Sequence, residues 1–130
     1  MKHRASFTAA LILAAVLFPF AARAETRVVT IFSGVSAASG SYTDSRGNAA
    51  ERTAGYLHVR FQVCGTGFSG TVTASQGALA TTTTTVKTLT LSGVTGCSAA
   101  NYIRLNPAAW TGFSYTRSGG SVSVYLELLP

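Results

Sequence analysis

Apolar and polar residues alternate most regularly in two segments of the chain, residues 55–64 and residues 121–128. A period of two places successive side chains on opposite faces of a strand. We therefore predict two strands that each bury one face in a core and expose the other to water. The predicted inward residues are Leu57, Val59, Phe61 and Val63 in the first strand and Val122, Val124, Leu126 and Leu128 in the second.

Shorter stretches rich in Thr, Val and aromatic residues predict further strands. They cover residues 26–32, 68–74, 81–85, 86–91, 101–105 and 113–117. The glycines of Ser118-Gly119-Gly120 supply positive φ angles, which predicts a hairpin turn before the last strand. Together these elements predict an all-β fold, an antiparallel β-sandwich (jelly-roll or immunoglobulin-like) of about seven strands. A small closed barrel is the alternative architecture.

The first 24 residues have the three parts of a secretory signal peptide. A basic start, Met1-Lys2-His3-Arg4, precedes an apolar run over 9–18, and the segment ends in Ala22-Arg23-Ala24. A membrane anchor needs about 18 to 20 apolar residues, and this run is shorter and is followed by Pro19. We therefore expect cleavage after Ala24, which leaves residues 25–130 as a single secreted or periplasmic domain.

The net charge of the whole chain is +6, but three of its ten basic residues lie within the predicted signal peptide. Seven basic and four acidic residues remain in 25–130, and the basic ones are scattered singly. Nucleic-acid binding requires basic residues clustered on one face. We therefore expect no nucleic-acid partner. Because no later apolar segment is long enough, we also expect no membrane span after cleavage.

Cys64 and Cys97 are the two cysteines of the chain, and both follow the predicted cleavage site. An even number of cysteines in an exported domain predicts a disulfide. Cys64 has the same parity as the polar residues of its strand. The disulfide therefore lies outside the core, unless a bulge at Gly65 turns Cys64 inward.

Two segments resemble small β-sandwich modules of bacteriophage tails and secreted bacterial surface proteins. In residues 59–73, an alternating strand continues through a glycine corner into Gly70-Thr71-Val72-Thr73, and residues 115–126 are similar to the closing segment of such modules. The chain departs from their pattern at Ser75-Gln76-Gly77, which lacks the acid of a Ser-x-Asp-Gly turn. A threonine run also replaces their tryptophan. The resemblance implies a sandwich and a role in adhesion or display, and it carries over no binding residue.

The residues needed for catalysis are scarce in 25–130, and no cofactor, metal or catalytic residue is predicted. His58 is the only histidine of this segment, so a Ser-His-Asp triad would have to combine it with Asp44, the only aspartate. His58 falls on the polar face of its strand, which favours an exposed sheet residue. We therefore expect a protein that is not an enzyme.

Residues 81–85 form an unbroken run of threonines. A strand or edge segment is the favoured interpretation, because threonine is β-branched and tolerates solvent. The alternatives are a site for O-linked sugars or a hydroxyl ladder against an ordered surface such as ice or glycan. An ice-binding face would need the ladder repeated on several neighbouring strands. Thr71-Val72-Thr73 and Thr88-Leu89-Thr90 are the segments that could repeat it.

Four aromatic residues are candidates for contact with a ligand or partner, namely Tyr102, Trp110, Tyr115 and Tyr125. Three of them lie close together in sequence with Phe113, and exposed aromatic rings stack on sugars or anchor protein partners. The competing interpretation places Trp110 and Phe113 in the core.

These features favour a non-catalytic exported module of a bacterial envelope, with a role in surface interaction, structure or adhesion. Its partner would be a protein, a glycan or a second copy of the chain, which residues 26–32 could reach by adding to the edge of its sheet. The alternatives are a glycan-binding protein or a secreted hydrolase inhibitor that uses a rigid loop at 41–46 or 106–112.

Overall fold

The computed structural model describes residues 25–130, so the predicted signal peptide, residues 1–24, lies outside the described residues. Residues 25–130 contain strands and no helix. Hence no helix in this part is long and apolar enough to cross a membrane. The strands are β1 (Arg27–Val35), β2 (Ser39–Ser41), β3 (Glu51–Arg52), β4 (His58–Leu79), β5 (Thr82–Leu105) and β6 (Trp110–Leu129).

The strands form one antiparallel sheet in the order β1-β6-β4-β5. β4 pairs with β6 along nearly its whole length, from His58 opposite Leu129 to Gly77 opposite Trp110. β1, β2 and β3 pair one after another with the other edge of β6. The outer strands β1 and β5 do not pair with each other, so the sheet is not a closed barrel.

Contacts between distant parts of β4 and β6 show that the sheet folds back on itself. Phe61 is the register partner of Leu126, and Phe113 is the partner of Ala74. These two pairs are 13 residues apart along each strand, or about 43 Å if the strands were straight. Yet the rings of Phe61 and Phe113 pack edge to face with centroids 5.3 Å apart. The long strands therefore bend, and their two halves pack face to face as a sandwich.

The bend divides the sheet into two layers. The first layer consists of residues 27–35, 58–66, 94–105 and 121–129, and the second consists of residues 39–41, 51–52, 69–79, 82–92 and 110–118. Their inner faces share one core, to which both layers contribute buried aromatic residues. The sandwich prediction is therefore confirmed, with six strands instead of about seven.

The corner between the layers depends on glycine. β4 and β6 shift register between Thr66 and Ser69, where Gly67 and Gly120 have φ angles of +62° and +68°. A Cβ atom on Gly120 would lie 2.3 Å from the carbonyl carbon of Gly67. Only glycine accommodates both the positive φ and this close approach of two backbones.

The predicted hairpin at Ser118-Gly119-Gly120 is wrong, because β6 continues through these residues as one strand. The segments 55–64 and 68–74 are likewise parts of one strand, β4. Glycines with positive φ serve equally in a reversing turn and in a bulge. Here they bend continuous strands, so predicted pairs of short strands are single long ones.

The alternation predicted the core of the first layer. Seven of the eight predicted inward residues are fully buried, and the full burial of each such side chain contributes about 1.5 to 3 kcal/mol. The exception is Leu57, which is 68% exposed. It precedes β4, and its N–H donates to the carbonyl oxygen of Leu129 at the end of the sheet.

The predicted disulfide joins Cys64 of β4 to Cys97 of β5, with Cα atoms 4.4 Å apart. The register of β4 and β6 is regular from His58 to Thr66, so Cys64, opposite Ser123, stays on the polar face. The residues that bulge are on β5, where four residues, 98–101, stand opposite Val63 alone. The disulfide thus lies outside the core cluster, without the inward turn at Gly65 that was the alternative.

We expect the double variant Cys64→Ala, Cys97→Ala to be less stable than the oxidised protein. The disulfide closes a loop with a sequence separation of 33, which corresponds to about 3 to 4 kcal/mol of unfolded-chain entropy. Urea unfolding of the mature chain measures this loss, and reduction of the wild type without substitution is the control. Equal unfolding midpoints for the oxidised and reduced wild type would contradict the prediction.

Candidate binding cleft

A cleft of about 570 Å³ opens at the end of the sandwich where β1 begins. It lies among the start of β1, the segment 42–56 and the start of β6. Charged and aromatic side chains dominate its lining. They are Arg27, Tyr42, Asp44, Arg46, Glu51, Arg52, Tyr56 and Trp110.

The short strand β3 positions two of these side chains. It pairs with β6 so that Glu51 is opposite Thr111 and Arg52 is opposite Trp110. Successive strand residues point to opposite faces. Glu51 is accordingly 6% exposed, whereas Arg52, the register partner of Trp110, is exposed.

Glu51 is held by two partners from other parts of the chain. The Tyr42 hydroxyl donates to Oε2 at 2.6 Å, and the Arg27 guanidinium lies 2.8 Å from Oε1. Burial raises the pKa of the Tyr42 hydroxyl, and the hydrogen bond to Glu51 raises it further. Since β1 belongs to the first layer and β3 to the second, this cluster joins the two layers at the open end of the sandwich.

Asp44 is held within its own turn. Its Oδ1 accepts the backbone N–H groups of Arg46 and Asn48 at 2.8 and 2.7 Å, and its Oδ2 accepts the Asn48 amide at 2.9 Å. The Asn48 side chain is the main reason that the pKa of Asp44 is lowered. Gly47 completes the turn with a φ of +84°. The turn is therefore fixed locally, and it presents the exposed Arg46 to the cleft.

A buried hydrogen-bond chain supports the strand that carries Trp110. The Thr53 hydroxyl donates to the carbonyl oxygen of Ala108 at 2.7 Å. Because the Thr53 hydroxyl proton is used in this bond, the Thr111 hydroxyl is the donor of the second bond, in which the two Oγ1 atoms lie 3.1 Å apart. The Gln76 amide in turn donates to the Thr111 oxygen. Thr53 and Thr111 are fully buried, and no buried side-chain polar atom in 25–130 lacks a partner.

The carboxylates of the cleft are committed to internal partners, but two of its cations are not. Within residues 25–130, Arg27–Glu51 is the only ion pair. Arg46 and Arg52 are exposed and form no ion pair within 25–130, whereas Asp44 keeps its negative charge beside them. Three arginines and two carboxylates therefore give the cleft a net charge of +1.

Trp110 is the only one of the four predicted contact residues that lines the cleft. Tyr102 is 37% exposed, and Tyr125 is half-buried; both flank Gln62 on the outer face of the first layer. The Arg60 guanidinium lies 5.8 Å from the Tyr102 ring centre.

The prediction that Tyr115 contacts a ligand or partner is wrong, because Tyr115 is 5% exposed and packs edge to face on Phe32 in the core. Phe113 is also buried, as the competing interpretation held, whereas Trp110 is only partly buried. These aromatic residues are close in sequence but do not form one surface, because strand alternation and the length of β6 place them on different faces and at different ends of the strand.

Sequence reasoning did not identify Arg27, Glu51 or Arg52 as site residues, and it included Tyr42 and Arg46 only as members of the loop 41–46. It did name the loops 41–46 and 106–112 as candidate binding loops, and loops on a rigid sandwich are common binding surfaces. The concentration of charge at Asp44, Arg46, Glu51 and Arg52 in a weakly charged chain was the available indication.

Within the described residues, His58 and Asp44 do not form the hydrogen bond that a Ser-His-Asp triad requires. His58 Nδ1 accepts from the Arg104 guanidinium at 2.8 Å, whereas the oxygens of Asp44 accept from their own turn. Residues 25–130 also contain no group of three or more His, Cys, Asp or Glu residues that could hold a metal ion.

Comparison of the chain with protein-family models, with curated proteins and with solved structures finds no match. The resemblance to surface and phage-tail modules therefore stays a prediction.

We expect Tyr42→Phe to lower the free energy of unfolding by about 1.5 to 3 kcal/mol, because it removes a hydrogen bond to a buried carboxylate. Urea unfolding measures the change. Tyr125→Phe is the matched control, since Tyr125 is half-buried and forms no side-chain hydrogen bond within 25–130. Equal losses in the two variants would contradict a special role for the Tyr42–Glu51 contact.

We expect Asn48→Ala to raise the pKa of Asp44 towards its ordinary value of 3.8. A lowered pKa in the folded state means that the Asp44 carboxylate stabilises the fold at pH values above this ordinary pKa. The contribution is lost as the pH falls through the folded pKa. The titration of the Asp44 carboxyl by NMR measures the shift. Asn101→Ala is the control, and an identical Asp44 titration in both variants would refute the assignment.

Proposed function

We propose that the mature chain is an exported, non-catalytic binding module and that the cleft holds an acidic sugar of a glycan. The observation that carries the proposal is the division of charge in the cleft. Glu51 and Asp44 accept hydrogen bonds from within the protein, while Arg46 and Arg52 form no ion pair within 25–130 and line the cleft together with Tyr56 and Trp110.

The committed carboxylates argue against catalysis by the cleft. A general acid or base must reach the substrate with an available proton or lone pair. Glu51 is 6% exposed and already binds Tyr42 and Arg27, and Asp44 binds its own turn. The two carboxylates hold the lining of the cleft in place through their hydrogen bonds. A preformed binding site requires such a fixed lining.

The available groups suit an acidic sugar in size and chemistry. A cleft of about 570 Å³ lies in the range of small-ligand sites, about 300 to 1,000 Å³. Aromatic rings such as Trp110 and Tyr56 stack on the apolar faces of sugars. Guanidinium groups form paired, charge-assisted hydrogen bonds with a carboxylate. Arg46 and Arg52 would take the acid group while the rings take the sugar.

Export supports the proposal through the disulfide and the sequence of residues 1–24. A disulfide between Cys64 and Cys97 is compatible with an extracellular or periplasmic location. The three-part segment 1–24 predicts secretion with cleavage after Ala24. Glycans with acidic sugars are available to a protein in that location.

We expect the oxidised mature chain to bind acidic oligosaccharides on a glycan array in preference to neutral ones of the same length. Arg52→Gln should weaken binding by about ten- to a hundredfold, because one charge-assisted hydrogen bond contributes about 1.5 to 3 kcal/mol. Trp110→Ala should also weaken it. Isothermal titration with the best array ligand measures both effects.

The control variants are Arg104→Gln and Tyr102→Ala on the outer face of the first layer, which should bind as the wild type does. Loss of binding in the controls but not in Arg52→Gln would place the ligand on that face and refute the cleft. Stoichiometric binding to a hydrolase, with no binding to any glycan, would instead favour the secreted inhibitor, whose candidate loops 41–46 and 106–112 both reach the cleft.

A further inference from the structure

The outer face of the second layer carries a regular array of hydroxyl groups, here called the hydroxyl face. One row runs across four neighbouring strands as Thr90, Thr71, Thr116 and Ser39. The second row runs in parallel as Thr88, Thr73, Ser114 and Ser41. Sequence alone indicated only the segments 71–73 and 88–90. The register of the sheet adds the other two strands.

The row between these two shows that the hydroxyl face points outward. Its members Val72 and Tyr115 are buried, and Leu89 packs on the core. Because successive residues alternate between faces, the residues on either side of this row face solvent. All eight are exposed or half-exposed. The long threonine run 81–85 is not part of the array, since Thr82, Thr84 and Thr85 pair with Leu79, Gln76 and Ser75 nearer the end of β4.

The spacing of the array is set by sheet geometry. Neighbouring strands lie about 4.8 Å apart, and alternate residues of one strand lie about 6.8 Å apart. The register has no shift between Gly70 and Ala74 on β4 or within the pairing of β2 with β6. The hydroxyl face is therefore a two-by-four grid without a register shift. Because the pairing is antiparallel, the Cα atoms of opposite residues in a row lie alternately about 5.5 and 4.5 Å apart.

The grid is also rigid. Five of its members are threonines, whose branched Cβ restricts the side-chain rotamer. The hydroxyl oxygens of Thr71 and Thr116 lie 2.6 Å apart in a cross-strand hydrogen bond. The oxygens of Thr71 and Thr116 are thus fixed before any ligand arrives.

The chemistry of the grid selects the kind of ligand. None of its eight side chains is charged or aromatic, so it has neither the ion-pairing groups nor the stacking rings with which proteins and sugars are anchored. A hydroxyl both donates and accepts one or more hydrogen bonds, as water does. Single contacts of this kind are weak. A ligand gains from them only if it repeats with the spacing of the grid and meets many hydroxyls at once.

We propose that the hydroxyl face binds ice. The surface of an ice crystal is a periodic array of water oxygens at spacings of a few ångströms in two directions. The hydroxyls of the grid would take positions of that array, and the threonine methyl groups would order water between the rows. The twist of the sheet, about 20 to 25° per strand, keeps the flat area small. We therefore expect inhibition of ice recrystallisation more than a large depression of the freezing point.

The test measures incorporation of the fluorescently labelled, oxidised mature chain into slowly growing ice, together with recrystallisation of ice in its presence. The wild-type protein should be incorporated into the growing ice and should inhibit the growth of large ice crystals during recrystallisation. Thr116→Lys places a long charged side chain within the grid. It should raise the protein concentration that is required to inhibit ice recrystallisation roughly tenfold. Thr88→Lys is a second variant on β5, and Thr88 forms no side-chain hydrogen bond within 25–130.

The matched control is Thr30→Lys, an exposed threonine on the outer face of the first layer. It should act as the wild type does. Exclusion of the wild type from ice would overturn the proposal, as would equal activity of Thr116→Lys, Thr88→Lys and Thr30→Lys. Trp110→Ala should retain ice binding, so failure of the cleft and failure of the hydroxyl face are distinguished.

Discussion

The close approach of two backbones at Gly67 and Gly120 is the constraint on which the rest of the structure depends. A Cβ atom on Gly120 would lie 2.3 Å from the Gly67 carbonyl carbon, so a side chain there would force the two strands apart. With glycine at both places, β4 and β6 bend together and remain paired on each side of the corner. A single sheet of long strands thereby covers its own apolar face, which otherwise would need a second sheet or a partner.

The same bend determines which residues meet. Phe61 packs on Phe113 and Phe32 packs on Tyr115 because the layers face each other across the core. At the open end, Arg27 from the first layer reaches Glu51 from the second. The cleft is therefore a consequence of how the layers close. Its walls are held by a buried carboxylate and a hydrogen-bonded turn, neither of which depends on a bound ligand.

Local patterns predicted what is local in this fold. Alternation identified seven buried residues of β4 and β6 in the first layer, and the two cysteines predicted the disulfide. The corner could not be predicted with the same success, because Ser118-Gly119-Gly120 suits a hairpin and a bulge equally. The choice between them depends on pairing with residues about 50 positions away in β4. Tyr115 shows the same limit, since its burial follows from the course of β6 and not from its neighbours in sequence. The cleft joins residues from 27 to 110, so sequence indicated its loop but not its members.

Folding one sheet into two layers also gives the molecule two outer faces of different chemistry. The first layer carries Arg60, Arg104 and Glu127 in one row, with Tyr102 and Tyr125 in the next. The hydroxyl face of the second layer is uncharged. Charged side chains hold their hydration water strongly. Uncharged hydroxyl groups replace water by another hydroxylated surface at little free-energy cost, because the hydrogen bonds that are lost and gained are alike. Under the two proposals above, water lattices and acidic sugars would be recognised by separate parts of the domain. The separation follows from the corner, because each long strand contributes one half to each layer and is free to carry a different pattern on each side of its glycine.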